Sequence, residues 1–131
     1  MFMKKFIFRL LTILPPLIFS TPSYADWTAV AKKGADTIYV DFERIRKRDG
    51  YIYYWMLIDY SKPNEYGDRS TQVYMEGDCS QFRTRILKLA YYNGRMASGQ
   101  GSAGNIPSPQ WDYPSPESVQ ETVLNEVCFF D

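Results

Sequence analysis

The chain has no histidine and only two cysteines, Cys79 and Cys128, so the chemistry open to its side chains is narrow. Without imidazole there is no ordinary base to activate a serine or cysteine nucleophile, and the common zinc ligand sets are incomplete. Carboxylates remain. Asp59 with Glu76, or Asp41 with Asp59, are the acid and base pairs the sequence offers, the kind of constellation that hydrolyses glycosidic bonds. Acidic residues at strand ends are usually solvated or structural, however, and the reading is of a non-enzymatic protein with no catalytic residue, no cofactor and no metal.

Binding is the better signal. Tyr51, Tyr53, Trp55, Tyr74, Tyr91, Tyr92, Trp111 and Tyr113 are many rings for a short chain, and aromatic surfaces serve protein and sugar recognition alike. Core packing is the default role of such rings. Tyr74 and Trp111 are the candidates for ligand contact, on the expectation that both lie beside a Gly-rich segment.

The elements that must position these residues read mostly as strands: Trp27 to Lys32, Thr37 to Asp41, Tyr51 to Tyr60, Ser70 to Cys79 and Thr84 to Tyr92, with a short sixth near Ala97 to Gly101. Short connections favour an antiparallel meander over parallel crossovers. In Ser70 to Cys79, alternation sets Thr71, Val73, Met75, Gly77 and Cys79 on one face, turning Cys79 to the apolar side. In Tyr51 to Tyr60 both faces are apolar or aromatic, the pattern of a strand covered on both sides or of one whose second face binds something. GQGSAGNIPSP, Gly99 to Pro109, reads as loop.

A terminal helix over residues 116–128 is expected, with Ser115 as cap and Pro116 at its first position. Its wheel places Val119, Val123, Leu124, Val127 and Cys128 in one half. The fold class is therefore α+β: an antiparallel sheet of five to six strands with a C-terminal helix packed on it. A Cys79–Cys128 disulfide would tie the two, contributing on the order of 4 kcal/mol in the chain-entropy model.

The opening MFMKKFIFRLLTILPPLIFSTPSYA has the anatomy of a secretory signal: Lys4, Lys5 and Arg9, then an apolar stretch from Leu10 to Ser20, then Ser23 and Ala25 before a cut. Arg9 and the Pro15-Pro16 pair leave about half of the ~20 apolar residues a membrane span needs. Residues 1–25 are read as a removable signal peptide and residues 26–131 as one domain, with no stable membrane insertion after cleavage. An oxidising destination favours the disulfide. Removal takes three basic residues and no acidic one, so the balanced formal charge becomes about three units negative, which argues against nucleic acid as partner. The basic cluster Arg44, Arg46, Lys47 and Arg48 is read as a solvated face or turn.

DW after the cut, TIYVD, a central YYWMLIDY, a strand ending MEGDC, then RILKLAYYNG and a terminal PESVQETVLNEVC together resemble the surface-adhesin protein E family of small bacterial envelope proteins. The resemblance covers nearly all of the chain beyond residue 25. It implies an antiparallel sheet with a disulfide-tied C-terminal helix, and a role in binding proteins of the host extracellular matrix. The stretch before the cut has no cysteine for lipid attachment, so periplasmic residence or secretion is expected, with cell-surface association as the family's alternative. A host-matrix or envelope protein is the expected partner. A periplasmic accessory domain binding carbohydrate or an envelope protein is the second reading. Oligomeric state is left open.

Overall fold

The computed structural model describes residues 25–130; the signal segment expected over residues 1–25 lies outside them but for Ala25. Seven strands form one antiparallel sheet: β1 (Thr28–Lys33), β2 (Asp36–Val40), β3 (Arg46–Arg48), β4 (Tyr51–Asp59), β5 (Ser70–Asp78), β6 (Arg83–Tyr92) and β7 (Gly101–Asn105), in the order β1-β2-β4-β5-β6-β7. β2 pairs with the second half of β4 and β3 with its first half, the turn Phe42–Arg44 letting the chain step between them. Among the described residues one α-helix, α1 (Val119–Cys128), follows the sheet. The expected class holds, with a slightly higher strand count.

The core lies where the period-2 and period-3.6 patterns meet. Ile38 and Val40 of β2, Ile52, Tyr54 and Met56 of β4, and Val73 and Met75 of β5 pack against Val123, Leu124 and Val127 of α1. Each such side chain, taken fully from water, contributes about 1.5–3 kcal/mol. Gly77 sets how close the helix comes: a Cβ there would lie 2.8 Å from Ile52 Cγ2 and 3.0 Å from Leu124 Cδ1. Cys79 and Cys128 are bonded, with Cα atoms 5.8 Å apart.

Several expectations need correction. Cys79 does not face the interior; it is exposed at the sheet rim, and Cys128 is half-buried. The reason is Asp78, whose Oδ1 accepts from the backbone N–H groups of Ser80 and Gln81 and turns the chain, ending the alternation one residue early. The helix begins at Val119, not residue 116. Glu117 adopts φ +63°, outside helical space, and Ser118 is the cap: its Oγ accepts from Glu121 N at 3.2 Å while the Glu121 carboxylate accepts from Glu117 N at 3.3 Å. The signature was present as Ser118-x-x-Glu121. The basic cluster is solvent-exposed over Arg46–Arg48, as expected of a solvated face, and there it forms a paired strand. Gly99 to Pro109 is not all loop: the short strand falls at Gly101–Asn105, not Ala97 to Gly101, and a 3-10 turn occupies Arg95–Ala97.

Candidate functional site

On the sheet face away from α1, alternation along β4 presents Tyr51, Tyr53, Trp55 and Leu57, and along β5 Gln72, Tyr74, Glu76 and Asp78. Registry sets Trp55 opposite Tyr74 and Tyr53 opposite Glu76. The Trp55 and Tyr74 rings stack with centroids 4.6 Å apart, and Tyr53 stands 6.3 Å from Tyr74. Rings at cross-strand positions on one face are the pairs that an antiparallel ladder brings together.

β6 supplies the cations. Arg83 pairs with Asp78 and Arg85 with Glu76, but one residue further the register slips, so that Ile86 faces Met75 and Lys88 faces Tyr74. Leu87 is the extra residue of this bulge. It turns Lys88 toward the aromatic face, where plain alternation would have put Leu87. Lys88 Nζ lies 5.8 Å from the Tyr74 ring centre.

Trp111 reaches the same face through an isolated bridge between Thr84 and Asp112, whose two backbone hydrogen bonds are each 2.8 Å. Its ring stacks on Tyr51 at 5.7 Å and lies under the guanidinium groups of Arg83 and Arg85, at 4.4 and 4.2 Å. Arg48 covers Tyr53 at 4.6 Å, and Arg44 stands between Trp27 and Trp55 at 5.6 and 5.4 Å. Aromatic rings and cations thus alternate across the sheet, each contact worth about 0.5–1 kcal/mol where exposed.

Tyr74 and Trp111 therefore share one face, linked by the Glu76–Arg85 pair between them. The expected position of Tyr74 beside the Gly-rich segment is corrected: β6 separates β5 from β7. Trp27, Arg44, Arg48 and Lys88 were not singled out as contacts by the sequence. The alternate spacing of Arg83 and Arg85, matched by that of Glu76 and Asp78, is the sequence signal that could have marked a charged row, and the bulge hid Lys88.

The carboxylates are each engaged by a cation. Asp41 Oδ2 accepts from Arg44 Nε at 2.6 Å, Glu76 Oε1 from Arg85 Nη2 at 2.7 Å, Asp78 Oδ2 from Arg83 Nε at 2.9 Å and Asp59 Oδ2 from Arg95 Nη2 at 2.7 Å. Burial would raise the Asp78 carboxyl, but hydrogen bonds from Gln81 N–H, Ser80 and Arg83, with the Arg83 charge, outweigh it and hold it below the usual carboxylate range. Tyr53 is raised, chiefly by the Glu76 carboxylate at its hydroxyl and then by burial. Glu76 stands opposite Tyr53, six residues along β4 from Asp59, a separation of about 20 Å at strand rise. Asp41 N donates to Trp55 O, four residues from Asp59, or about 13 Å. Neither suggested carboxylate pair is close enough to share one substrate bond.

A concavity of about 670 Å³ lies on the helix side between the sheet and residues 106–115, floored by Met56, Val73, Met75, Ile86 and Leu89. It continues into a shallower trough of about 260 Å³ beneath β7, with Leu89, Tyr91 and Ile106 common to both.

The described residues thus combine an antiparallel sheet with a C-terminal helix on one face, a disulfide at the rim and a second face of aromatic rings and cations. The profile of the surface-adhesin protein E family matches residues 27–129, and the chain belongs to that family. It is thus a surface-adhesin-like protein, of a family whose name goes with export to the cell surface. Its fold is similar to crystal form II of Haemophilus influenzae protein E, at 14% identity and TM-score 0.63, covering 80% of this chain and 88% of that one. It is likewise similar to a second structure of that organism's protein E, at 14% identity and TM-score 0.61, covering 80% and 85%. The selenomethionine form gives 15% identity and TM-score 0.62, covering 80% and 87%. No curated protein sequence matches the chain. Among the described residues no helix is long and apolar enough to cross a membrane.

Proposed function

We propose that this protein is a non-enzymatic binding module, exported with cleavage after Ala25, that holds a protein partner against the aromatic and cationic face of its sheet. The partner is a host-matrix or envelope protein, and Tyr74 and Trp111 are contact residues. The supporting observation is the alternation of rings and guanidinium groups on the face that α1 leaves free. Apart from the exposed Arg48 these side chains are half-buried, so they are held in place before a partner arrives and lose little rotamer entropy on binding. Surface localisation, as opposed to periplasmic residence, belongs to the same proposal and is read by protease shaving of intact cells.

The test uses the processed, oxidised domain immobilised and exposed to a panel of host-matrix proteins and to envelope extract. Tyr74→Ala and Trp111→Ala are expected to weaken capture at least tenfold while lowering the melting temperature by only a few degrees. Variants that lose stability but keep full capture would make these rings structural and place contact elsewhere. Recovery of a glycan with no protein would replace the reading with a carbohydrate-binding one.

A further inference from the structure

The two edges of the sheet are not alike. β1 is blunted in the usual ways, by Lys32 and Lys33 and by a bulge between Ala29 and Ala31, and α1 packs beside it. β7, sequence GSAGN, carries no charge, no proline and no bulge, and all five residues are exposed. Among the described residues nothing pairs with its outer side.

The phase of its backbone is fixed. Asn93 N donates to Gln100 O at 3.2 Å and Ile106 N donates to Leu87 O at 2.9 Å. In an antiparallel pair, alternate residues spend both backbone groups on one neighbour. Gln100, Ser102, Gly104 and Ile106 therefore turn theirs to β6, while Gly101, Ala103 and Asn105 turn theirs outward.

Side chains on the helix-side face are set by the same register. Ser102 stands opposite Tyr91 and Gly104 opposite Leu89, and the trough of about 260 Å³ runs along this row. Tyr91 is 39% exposed there. A Cβ on Gly104 would meet nothing within 4 Å. The trough is apolar and unfilled because β7 has no side chain large enough to fill it.

We infer that β7 accepts an extended peptide segment of a protein partner as an eighth strand, with large apolar side chains at alternate positions seated in the trough opposite Ser102 and Gly104. Backbone hydrogen bonds to Gly101, Ala103 and Asn105 supply attachment, and the alternate apolar residues supply selectivity. A second copy of this chain is a poor occupant: β7 against β7 would bring only serine, alanine and glycine over the trough, and β1 would bring its two lysines. On the other face Lys88, opposite Asn105, has no carboxylate partner among the described residues. It favours an acidic residue between the apolar ones. This inference rests on the reading of the domain as a protein-binding module, but it uses a different surface.

The probe is a capped nine-residue peptide alternating valine and phenylalanine with threonine around a central glutamate, beside a scrambled peptide with its apolar residues contiguous. Binding is followed by amide exchange and by titration with the full processed domain. The alternating peptide is expected to slow exchange at the Gly101, Ala103 and Asn105 amides, and the scrambled one is not. Ala103→Pro removes an outward N–H that β6 does not use, a position where an edge strand tolerates proline. Gly104→Phe fills the trough from within. Each is expected to weaken the peptide at least tenfold with an unchanged melting temperature, while Tyr74→Ala leaves it unaffected. Absence of protection at those three amides, or equal binding by Gly104→Phe, overturns the inference. Dimers that form in proportion to concentration and vanish in Ala103→Pro would assign the edge to a second copy and also overturn it. Loss of matrix-protein capture in Tyr74→Ala with peptide binding intact separates the face from the edge.

Discussion

The guanidinium carbon of Arg85 sits 4.2 Å from the centre of the Trp111 ring, although the two residues lie on segments joined only by the Thr84–Asp112 bridge. The same Arg85 donates to Glu76, whose side chain is 6% exposed. One cation therefore serves two neighbours of different worth. Arg85→Met would leave a buried carboxylate with the Tyr53 hydroxyl but without its cation and should cost about 2–3 kcal/mol. Trp111→Ala removes ring contacts at a half-buried site and should cost about 1 kcal/mol. Urea unfolding of the two variants checks the order. Equal losses would mean that the ring, not the ion pair, organises this end of the face.

The disulfide joins residues 49 apart in sequence. Its loss in Cys79→Ser with Cys128→Ser should lower stability by about 2–5 kcal/mol. An isolated helix of ten residues is marginal in water, so α1 should loosen before the central strands. Hydrogen exchange is expected to quicken over residues 119–128 while β4 and β5 stay protected. Uniform quickening would show that the sheet itself depends on the bond.

Gly77 faces the helix at a distance that excludes even a methyl group. Gly77→Ala should destabilise by about 1–3 kcal/mol through overpacking. Leu124→Ala alone should cost about 2–5 kcal/mol through its cavity. Because the new methyl would enter that cavity, the double variant should lose less than the two single losses combined. Additive losses in thermal unfolding would show that Ile52, not Leu124, meets the added methyl.

Asp78 has a folded pKa below its ordinary value, set by burial in one direction and by the stronger opposing pull of Gln81, Ser80 and Arg83. A depressed carboxyl binds fewer protons folded than unfolded, so its contribution is complete above the ordinary carboxylate value. It is lost as pH falls through the lower, folded value. Stability should therefore drop on the acid side, below about pH 4, and Asp78→Asn should flatten that limb while losing stability at neutral pH. An unchanged acid limb in equilibrium unfolding would assign acid sensitivity to other carboxylates.

Local pattern carried much of the architecture. Strict alternation in STQVYMEGD and the doubly apolar YIYYWMLID are strands in any context that buries them, and the stripe of Val119, Val123, Leu124 and Val127 needs an apolar surface to pack on, which the sheet supplies. With two cysteines in the sequence, an intramolecular pairing had one solution. The aromatic second face of β4 was legible for the same reason, since period 2 decides sides without knowledge of neighbours.

The remainder depended on contacts distant in sequence. GSAGN has little strand propensity and is a strand because β6 offers it hydrogen bonds. The bulge at Leu87, which turns Lys88 toward Tyr74, follows from fitting β6 to β5 and has no local marker. Trp111 joins the face through two backbone hydrogen bonds to Thr84. Its neighbours were thus decided by tertiary registry, and alternation within one strand contains no information about the registry between two.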